Sequence, residues 1–142
     1  MRTLFFCLFS LSTLAGFAQT APPLVVPPDA VAQLEDVKEM TKQVALTKNN
    51  KGKPQAEARP EVNRLLVLAA DDFVRITTTG KPTREAYLLC LDNDLARLSP
   101  LVTDEQGRRQ VAEYFQELLE IVGLPSSEGR LTAFALSPAA KQ

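Results

Sequence analysis

The chain has 142 residues, with 16 lysines and arginines against 17 aspartates and glutamates, and it contains no histidine. The near balance of charge excludes the clustered basic face that nucleic-acid binding needs and the polybasic segment that anionic lipids attract. The absence of histidine excludes Ser-His and Cys-His nucleophilic catalysis and removes the commonest transition-metal ligand. We expect no cofactor and no metal.

The first eighteen residues have the pattern of a secretory signal peptide. Arg2 gives a positive start, Leu4 to Leu14 is an apolar run, and Gly16-Phe17-Ala18 offers the small residues that signal peptidase reads. The apolar run is shorter than the roughly 20 residues that a spanning helix needs. The sequence therefore predicts an exported protein, periplasmic or secreted, with no stable membrane insertion after cleavage. An uncleaved N-terminal anchor is the alternative, and it would leave the domain outside the inner membrane.

Residues 19–28 contain four prolines, which predicts an extended, polyproline-like lead that acts as a spacer. Asp29 can then cap a first helix from Ala30 to Lys48, with apolar residues on one face. Asn49 to Pro54 carries lysine, asparagine, glycine and proline, which is typical of a surface loop.

Pro60 suits the first position of a second helix that reaches Thr77. Leu65 to Ala70 is apolar almost all round, which predicts the most buried helix of the fold. Asp71 and Asp72 follow at adjacent positions, about 100° apart on a helix. We expect one of them to face solvent and the other to bond a neighbouring arginine.

Thr83 can cap a third helix from Arg84 to Leu98, in which leucines recur at heptad-like spacing. Asp92-Asn93-Asp94 resembles the start of a calcium loop but lacks its glycine and its distal glutamate, so we expect no metal there. If residues 1–18 are removed, Cys90 remains as the only cysteine, and no internal disulfide can form. We expect Cys90 to be a small buried apolar group rather than a reactive thiol.

The fourth helix has the clearest start and stop signals. Thr103 with Gln106 three residues later predicts a capping box, and an apolar stripe follows from Val111 to Val122. Gly123 can adopt the left-handed conformation that ends a helix, with Leu124 in a Schellman-type closure.

Ser126 or Ser127 can cap a short last helix with Glu128 in its first turn, and residues 137–142 should fray. No stretch shows the alternation of a strand. The sequence therefore predicts an all-α fold: one four-helix-bundle-like domain over residues 29–136, with a short extra C-terminal helix.

Carboxylates are the remaining candidates for catalysis. Glu113, Glu117 and Glu120 lie on one helix face at spacings of four and three residues. A glycoside hydrolase needs two acids in contrasting environments across a cleft. These glutamates flank an apolar stripe, where glutamates are ordinarily solvated, so a hydrolase acting on cell-wall glycan is the alternative function rather than the first.

The segment from Tyr114 to Leu131, with Gly123-Leu124-Pro125-Ser126-Ser127-Glu128-Gly129 at its centre, resembles the C-terminal signature of a bacterial helical family. That family is small, exported or envelope-associated, and known only as a domain of unknown function. The resemblance covers roughly the last quarter of the chain and departs at Thr132, where an asparagine is expected. It implies the compartment and the helical fold, and it implies no activity.

By exclusion, the sequence predicts a non-enzymatic binding or accessory domain, inhibitor-like or immunity-like, for an envelope or secreted protein. A structural homo-oligomer, with the leucine-rich third helix packed in a homodimer, is a further alternative. Helix-start amides near the last helix could receive an acidic group. The candidate binding surface comprises Ser126, Ser127, Glu128, Arg130 and Glu117.

Overall fold

The computed structural model describes residues 23–47, 59–80 and 82–137. Within these ranges the chain forms five helices and no strand: α1 (Ala30–Thr47), α2 (Arg59–Thr78), α3 (Arg84–Leu98), α4 (Glu105–Ile121) and α5 (Arg130–Leu136). The predicted all-α bundle with a short C-terminal helix is confirmed. The predicted signal peptide at 1–18, the loop at 49–54 and the end of the tail from 138 lie outside the described residues, as does Lys48.

The core forms where the apolar faces of the helices meet. α2 packs against α1 and α3, while α4 packs against α1 and α5. The largest side chains at the centre are Phe73, Tyr87 and Phe115, all fully buried. Phe73 and Tyr87 stack at a ring-centroid distance of 5.2 Å, which joins α2 to α3. The leucines of α3 that repeat at heptad-like spacing are buried in this same core.

The apolar run in α2 is less buried than its composition suggests. Leu65 and Leu66 are half-buried, and Leu68 is 37% exposed, whereas Ala69 and Ala70 are fully buried. The prediction that this apolar run makes α2 the most buried helix of the fold is therefore wrong. α2 has neighbours along only part of its circumference, so one face stays open to solvent.

The cap of α3 is confirmed and the cap of α4 is corrected. Thr83 accepts a hydrogen bond from the Ala86 N–H, as expected. In α4 the capping residue is Asp104, whose Oδ1 accepts from the Gly107 N–H at 2.7 Å, so the predicted Thr103 capping box is wrong. A carboxylate is the stronger acceptor and also places negative charge at the positive end of the helix dipole.

The end of α4 is the predicted Schellman closure. Gly123 has a φ of 76°, and its N–H donates to the Glu120 carbonyl at 3.0 Å. The Leu124 N–H donates to the Leu119 carbonyl at 2.8 Å, and the Leu124 side chain is buried. These are the two reversed bonds that define the motif.

α5 starts later than predicted. Its N-cap is Gly129, which makes no side-chain capping bond, and Glu128 lies before the helix rather than in its first turn. Glu128 and Gly129 both have positive φ values, 54° and 83°. Two consecutive left-handed residues interrupt the helix that Ser126 or Ser127 would otherwise have started.

Part of the proline-rich lead belongs to the packed structure. Leu24 and Val26 pack against the core, and the Val25 carbonyl crosses the end of α4 close to Gly123. A Cβ on Gly123 would lie 2.6 Å from the Val25 oxygen. The spacer interpretation therefore does not describe residues 24–26, because hydrophobic side chains anchor this segment across the bundle.

We expect Gly123→Ala to lower the free energy of unfolding by about 2–3 kcal/mol. The substitution strains a left-handed residue and also forces the Val25 backbone to move. Gly129→Ala is the matched control, since its φ is also positive but nothing lies within 4 Å of the added Cβ. Its cost should be about 1 kcal/mol. Denaturant unfolding of both variants measures the difference, and equal costs would show that the contact with Val25 is unimportant.

Candidate functional site

Two charged residues of the predicted binding surface, Glu128 and Arg130, form an ion-pair network with α3. Glu128 pairs with Arg84 and with Arg130, the latter at 3.0 Å. Arg130 Nε also donates to both oxygens of Asp92, at 2.9 and 3.1 Å. The two arginines, Arg84 first, hold the pKa of Glu128 below its usual range. The network fastens the α4–α5 connection to α3.

The backbone amides of this connection are already bonded. The Glu128 N–H donates to the Ser126 hydroxyl, and the Leu131 N–H donates to the Ser127 hydroxyl at 3.4 Å. The Arg130 N–H donates to the Ser127 carbonyl. These three amides are therefore not open to an acidic ligand, and α5 is only seven residues long.

Glu117 lies on a different surface from this network. It lines an open groove of about 480 Å³ between α1 and the C-terminal half of α4. We call this the α1–α4 groove. It is lined by Pro27, Gln33, Asp36, Val37, Met40, Glu117, Glu120 and Ile121.

The α1–α4 groove combines apolar side chains with carboxylates. Val37 and Ile121 belong to the core or pack against it, and Met40 is 55% exposed. Asp36, Glu117 and Glu120 supply three carboxylates, and none of the eight lining residues is a lysine or arginine. Glu120 accepts a hydrogen bond from Gln116 at 2.8 Å. In the described ranges Asp36 and Glu117 form neither an ion pair nor a hydrogen bond.

Two of the three glutamates that suggested hydrolysis share this groove. Glu117 and Glu120 line it, whereas Glu113 is exposed on α4 but is not among the lining residues. Both groove glutamates are exposed to solvent. Paired acid catalysis requires environments that push two pKa values apart, and two solvent-exposed carboxylates on one helix lack that contrast.

A second cluster brings together Asp72, Cys90 and Asp94, whose side-chain ligand atoms lie within 4.8 Å of one another. The Cys90 thiol donates a hydrogen bond to the Asp94 carboxylate at 3.5 Å. Asp72 forms an ion pair with Arg75 at 2.5 Å, and Asp94 forms one with Arg97 at 3.6 Å. Burial raises the pKa of the Cys90 thiol strongly, with a further contribution from Asp94. A thiol held protonated is a poor nucleophile, which agrees with the expectation that Cys90 is unreactive.

The acidic pairs of the sequence take separate roles. Asp72 pairs with Arg75, as expected for one member of the Asp71-Asp72 pair, and the exposed Asp71 also pairs with Lys38 of α1 at 2.9 Å. Asp92 is exposed and bonds Arg130, whereas Asp94 is buried. The calcium-like triplet therefore does not present its two aspartates to a common ligand.

Arg108 is a buried residue that the sequence analysis did not single out. It is only 3% exposed, and its guanidinium donates to the Phe134 carbonyl at 3.1 Å and to the Ser99 carbonyl at 3.2 Å. Its Cζ lies 4.9 Å from the centre of the Phe134 ring. The two carbonyls belong to the C-terminal ends of α5 and α3, where helix dipoles are negative. Arg108 therefore ties α5 and α3 to the start of α4.

Both tyrosines of the chain have shielded hydroxyl groups. Tyr114 donates to the Leu66 carbonyl of α2 at 2.8 Å, and burial raises its pKa to about 12. The Tyr87 hydroxyl lies 2.7 Å from the Thr77 hydroxyl, and burial raises its pKa as well. The protonated form of each tyrosine therefore contributes stability that its ionised form does not.

We expect tyrosinate absorbance to appear in the folded protein only well above pH 10, the ordinary tyrosine midpoint. Because the folded-state pKa of each tyrosine lies above its unfolded value, the stability that its protonated hydroxyl contributes is complete below about pH 10. For Tyr114 it is lost as the pH rises towards about 12. A Tyr87→Phe variant isolates Tyr114 in a spectroscopic titration, and the same variant in denaturant is the control. A native midpoint near 10 would contradict the burial of Tyr114.

Comparison with known proteins identifies the family of this chain. Residues 25–137 match the family described as Domain of unknown function (DUF4844). No curated protein and no solved structure matches the chain. Among the described residues, no helix combines the length and apolarity needed to cross a membrane. The match covers most of the chain, including all five helices, and the chain belongs to this family of unknown function.

Proposed function

We propose that this protein is an exported, non-enzymatic accessory domain that binds another protein through the α1–α4 groove. The observation that carries the proposal is the groove itself, where an apolar surface is left open between two helices. Exposed apolar surface with a polar rim is typical of a protein interaction site. Met40 supports this assignment, because methionine is flexible and common at binding surfaces.

The contrast with the predicted surface at 126–130 supports the choice of the groove. There, Glu128 and Arg130 are paired with each other and with α3. In the groove, Asp36 and Glu117 have no ion-pair partner within the described ranges. Of the residues in the predicted binding surface, Glu117 is the one that the proposal retains as a contact.

The alternative functions have less support. A hydrolase has in its favour only that Glu117 and Glu120 line one groove, and Glu117→Gln should leave any glycan-cleaving activity unchanged if the binding proposal is right. The homodimer rested on the heptad-spaced leucines of α3, and Leu88, Leu91, Leu95 and Leu98 are buried in the core of the single chain. Leu89, the exposed leucine of α3, is the matched control position used below.

The test compares Met40→Ser with Leu89→Ser as baits in an envelope extract. Both replace an exposed apolar side chain without adding charge, at 55% and 63% exposure. Captured proteins are identified, purified and titrated against each bait by calorimetry. Met40→Ser should weaken binding by about tenfold or more, because the variant loses the methionine side chain that the partner would bury in the complex. Equal binding by the two variants, or no partner for the wild type, would refute the groove as the binding site.

Export is tested separately by fractionating cells that produce the full chain. We expect the protein outside the cytoplasm, with an intact mass that lacks residues 1–18. A cytoplasmic protein that begins at Met1 would refute export without bearing on the groove.

A further inference from the structure

We propose that the occupant of the α1–α4 groove is a cationic amphipathic helix of the partner protein. The inference rests on the proposed binding function and adds the chemistry of the segment that is recognised. It follows from three properties of the groove, which are its charge, its apolar surface and its length along α1.

The charge of the groove selects a cation. Asp36 lies on the α1 side and Glu117 and Glu120 on the α4 side, and none of the lining residues that the structure describes is basic. Elsewhere, acidic groups of α1 have their own cations, since Glu35 pairs with Lys38 and Glu39 with Lys42. An anionic segment would be repelled from the groove, whereas lysines or arginines on either side of a bound segment would meet carboxylates that have no ion-pair partner among the described residues.

The apolar surface of the groove requires an occupant that carries apolar side chains as well as positive charge. Ile121 is half-buried and Met40 is largely exposed, so the groove offers hydrophobic contact that a purely polar ligand would leave uncovered. Its volume of about 480 Å³ is enough for a few side chains rather than for a domain. Apolar anchors flanked by basic residues therefore match it.

The length of the groove along α1 favours a helix. The α1 residues that line it run from Gln33 to Met40 at helical spacing, a rise of about 10 Å or two turns. A third helix laid along this groove places apolar side chains at positions i, i+3 or i+4, and i+7 against the apolar strip. Basic residues beside that stripe then lie over the carboxylates on both sides.

The test uses three fluorescent peptides of about 14 residues and measures their affinity by anisotropy. The first has leucines at helical spacing and lysines elsewhere, the second replaces lysine with glutamate, and the third replaces leucine with serine. We expect the leucine-lysine peptide to bind best and its affinity to fall with added salt. Equal binding of the serine-lysine peptide would overturn the proposal, because charge alone would explain it.

Charge variants of the protein complete the test. Asp36→Asn with Glu117→Gln removes two groove carboxylates, and Glu85→Gln with Glu105→Gln removes two exposed carboxylates from α3 and α4 outside the lining. The double substitution in the groove should lower the affinity for the leucine-lysine peptide about five- to tenfold. The control double substitution should change this affinity little. Equal effects of the two double substitutions would overturn the proposal, because the affinity would then depend only on the net charge of the protein.

The two proposals fail in different ways. If the leucine-glutamate peptide binds as well as the leucine-lysine peptide and Met40→Ser weakens both, the groove binds helices but the inferred charge is wrong. If no peptide binds while Met40→Ser still loses the captured partner, the helical occupant is wrong and the groove remains the binding site. If Met40→Ser has no effect in either experiment, both proposals are refuted.

Discussion

Arg108→Ala should lower the free energy of unfolding by about 2–4 kcal/mol, a large effect for a charged residue in the first turn of a helix. The substitution leaves the carbonyls of Ser99 and Phe134 without their buried donor and removes the guanidinium from the Phe134 ring. Within the described residues Arg108 has no carboxylate partner, so its charge is balanced by helix C-termini. Denaturant unfolding gives the measurement.

The adjacent residue is the matched control for Arg108. Arg109 is 65% exposed at its side chain and pairs with Glu105 along the same helix. Arg109→Ala should change stability by no more than about 0.5 kcal/mol. Arg108→Lys should fall between the two, because a lysine keeps the charge but cannot bridge two separate carbonyls with a planar fork. If Arg108→Ala and Arg109→Ala unfold at the same denaturant concentration, Arg108 does not tie the helices together.

Leu118→Ala should cost about 2–5 kcal/mol, the range for truncating a buried leucine. Leu118 is fully buried in α4, and the truncation would leave a cavity in the core. For a domain of this size the melting temperature should fall by about 10–20 °C. The measurement is thermal unfolding followed by circular dichroism.

Leu89→Ala is the matched truncation at an exposed position. Leu89 lies on α3 with 63% of its surface exposed, so it contributes little apolar burial. Its melting temperature should stay within about 2 °C of the wild type. A Leu118→Ala melting temperature equal to that of Leu89→Ala would mean that the core face of α4 is wrongly placed.

Much of the fold could be predicted because its determinants are local. The spacing of apolar residues predicted the core faces of α3 and α4, and Thr83 and Gly123 were recognised as the residues that start α3 and end α4. Helix periodicity and Schellman closure depend on a few neighbouring residues. The family match over residues 25–137 likewise agrees with the expected resemblance to a family of unknown function.

Two helix starts were misplaced because two local signals competed at each of them. Thr103 and Asp104 are both good N-cap residues, and only the backbone conformation of the folded chain makes Asp104 the N-cap of α4. Ser126 and Ser127 predicted an earlier start of α5, but the left-handed conformations of Glu128 and Gly129 delayed it. Each error moved a helix start by a few residues and left the number of helices unchanged.

The sequence by itself determined the all-α class, the order of the helices and the absence of histidine chemistry, because these depend on composition and on contacts between neighbours in the chain. Tertiary structure alone decided that Arg108 is buried, since its acceptors lie on two other helices. It also decided that Glu117 belongs to a groove with Asp36 and Met40, while Glu128 and Arg130 are used within the fold. A single-helix pattern shows which face is apolar, but the distance between two helices decides whether that face is covered or left open as a binding surface.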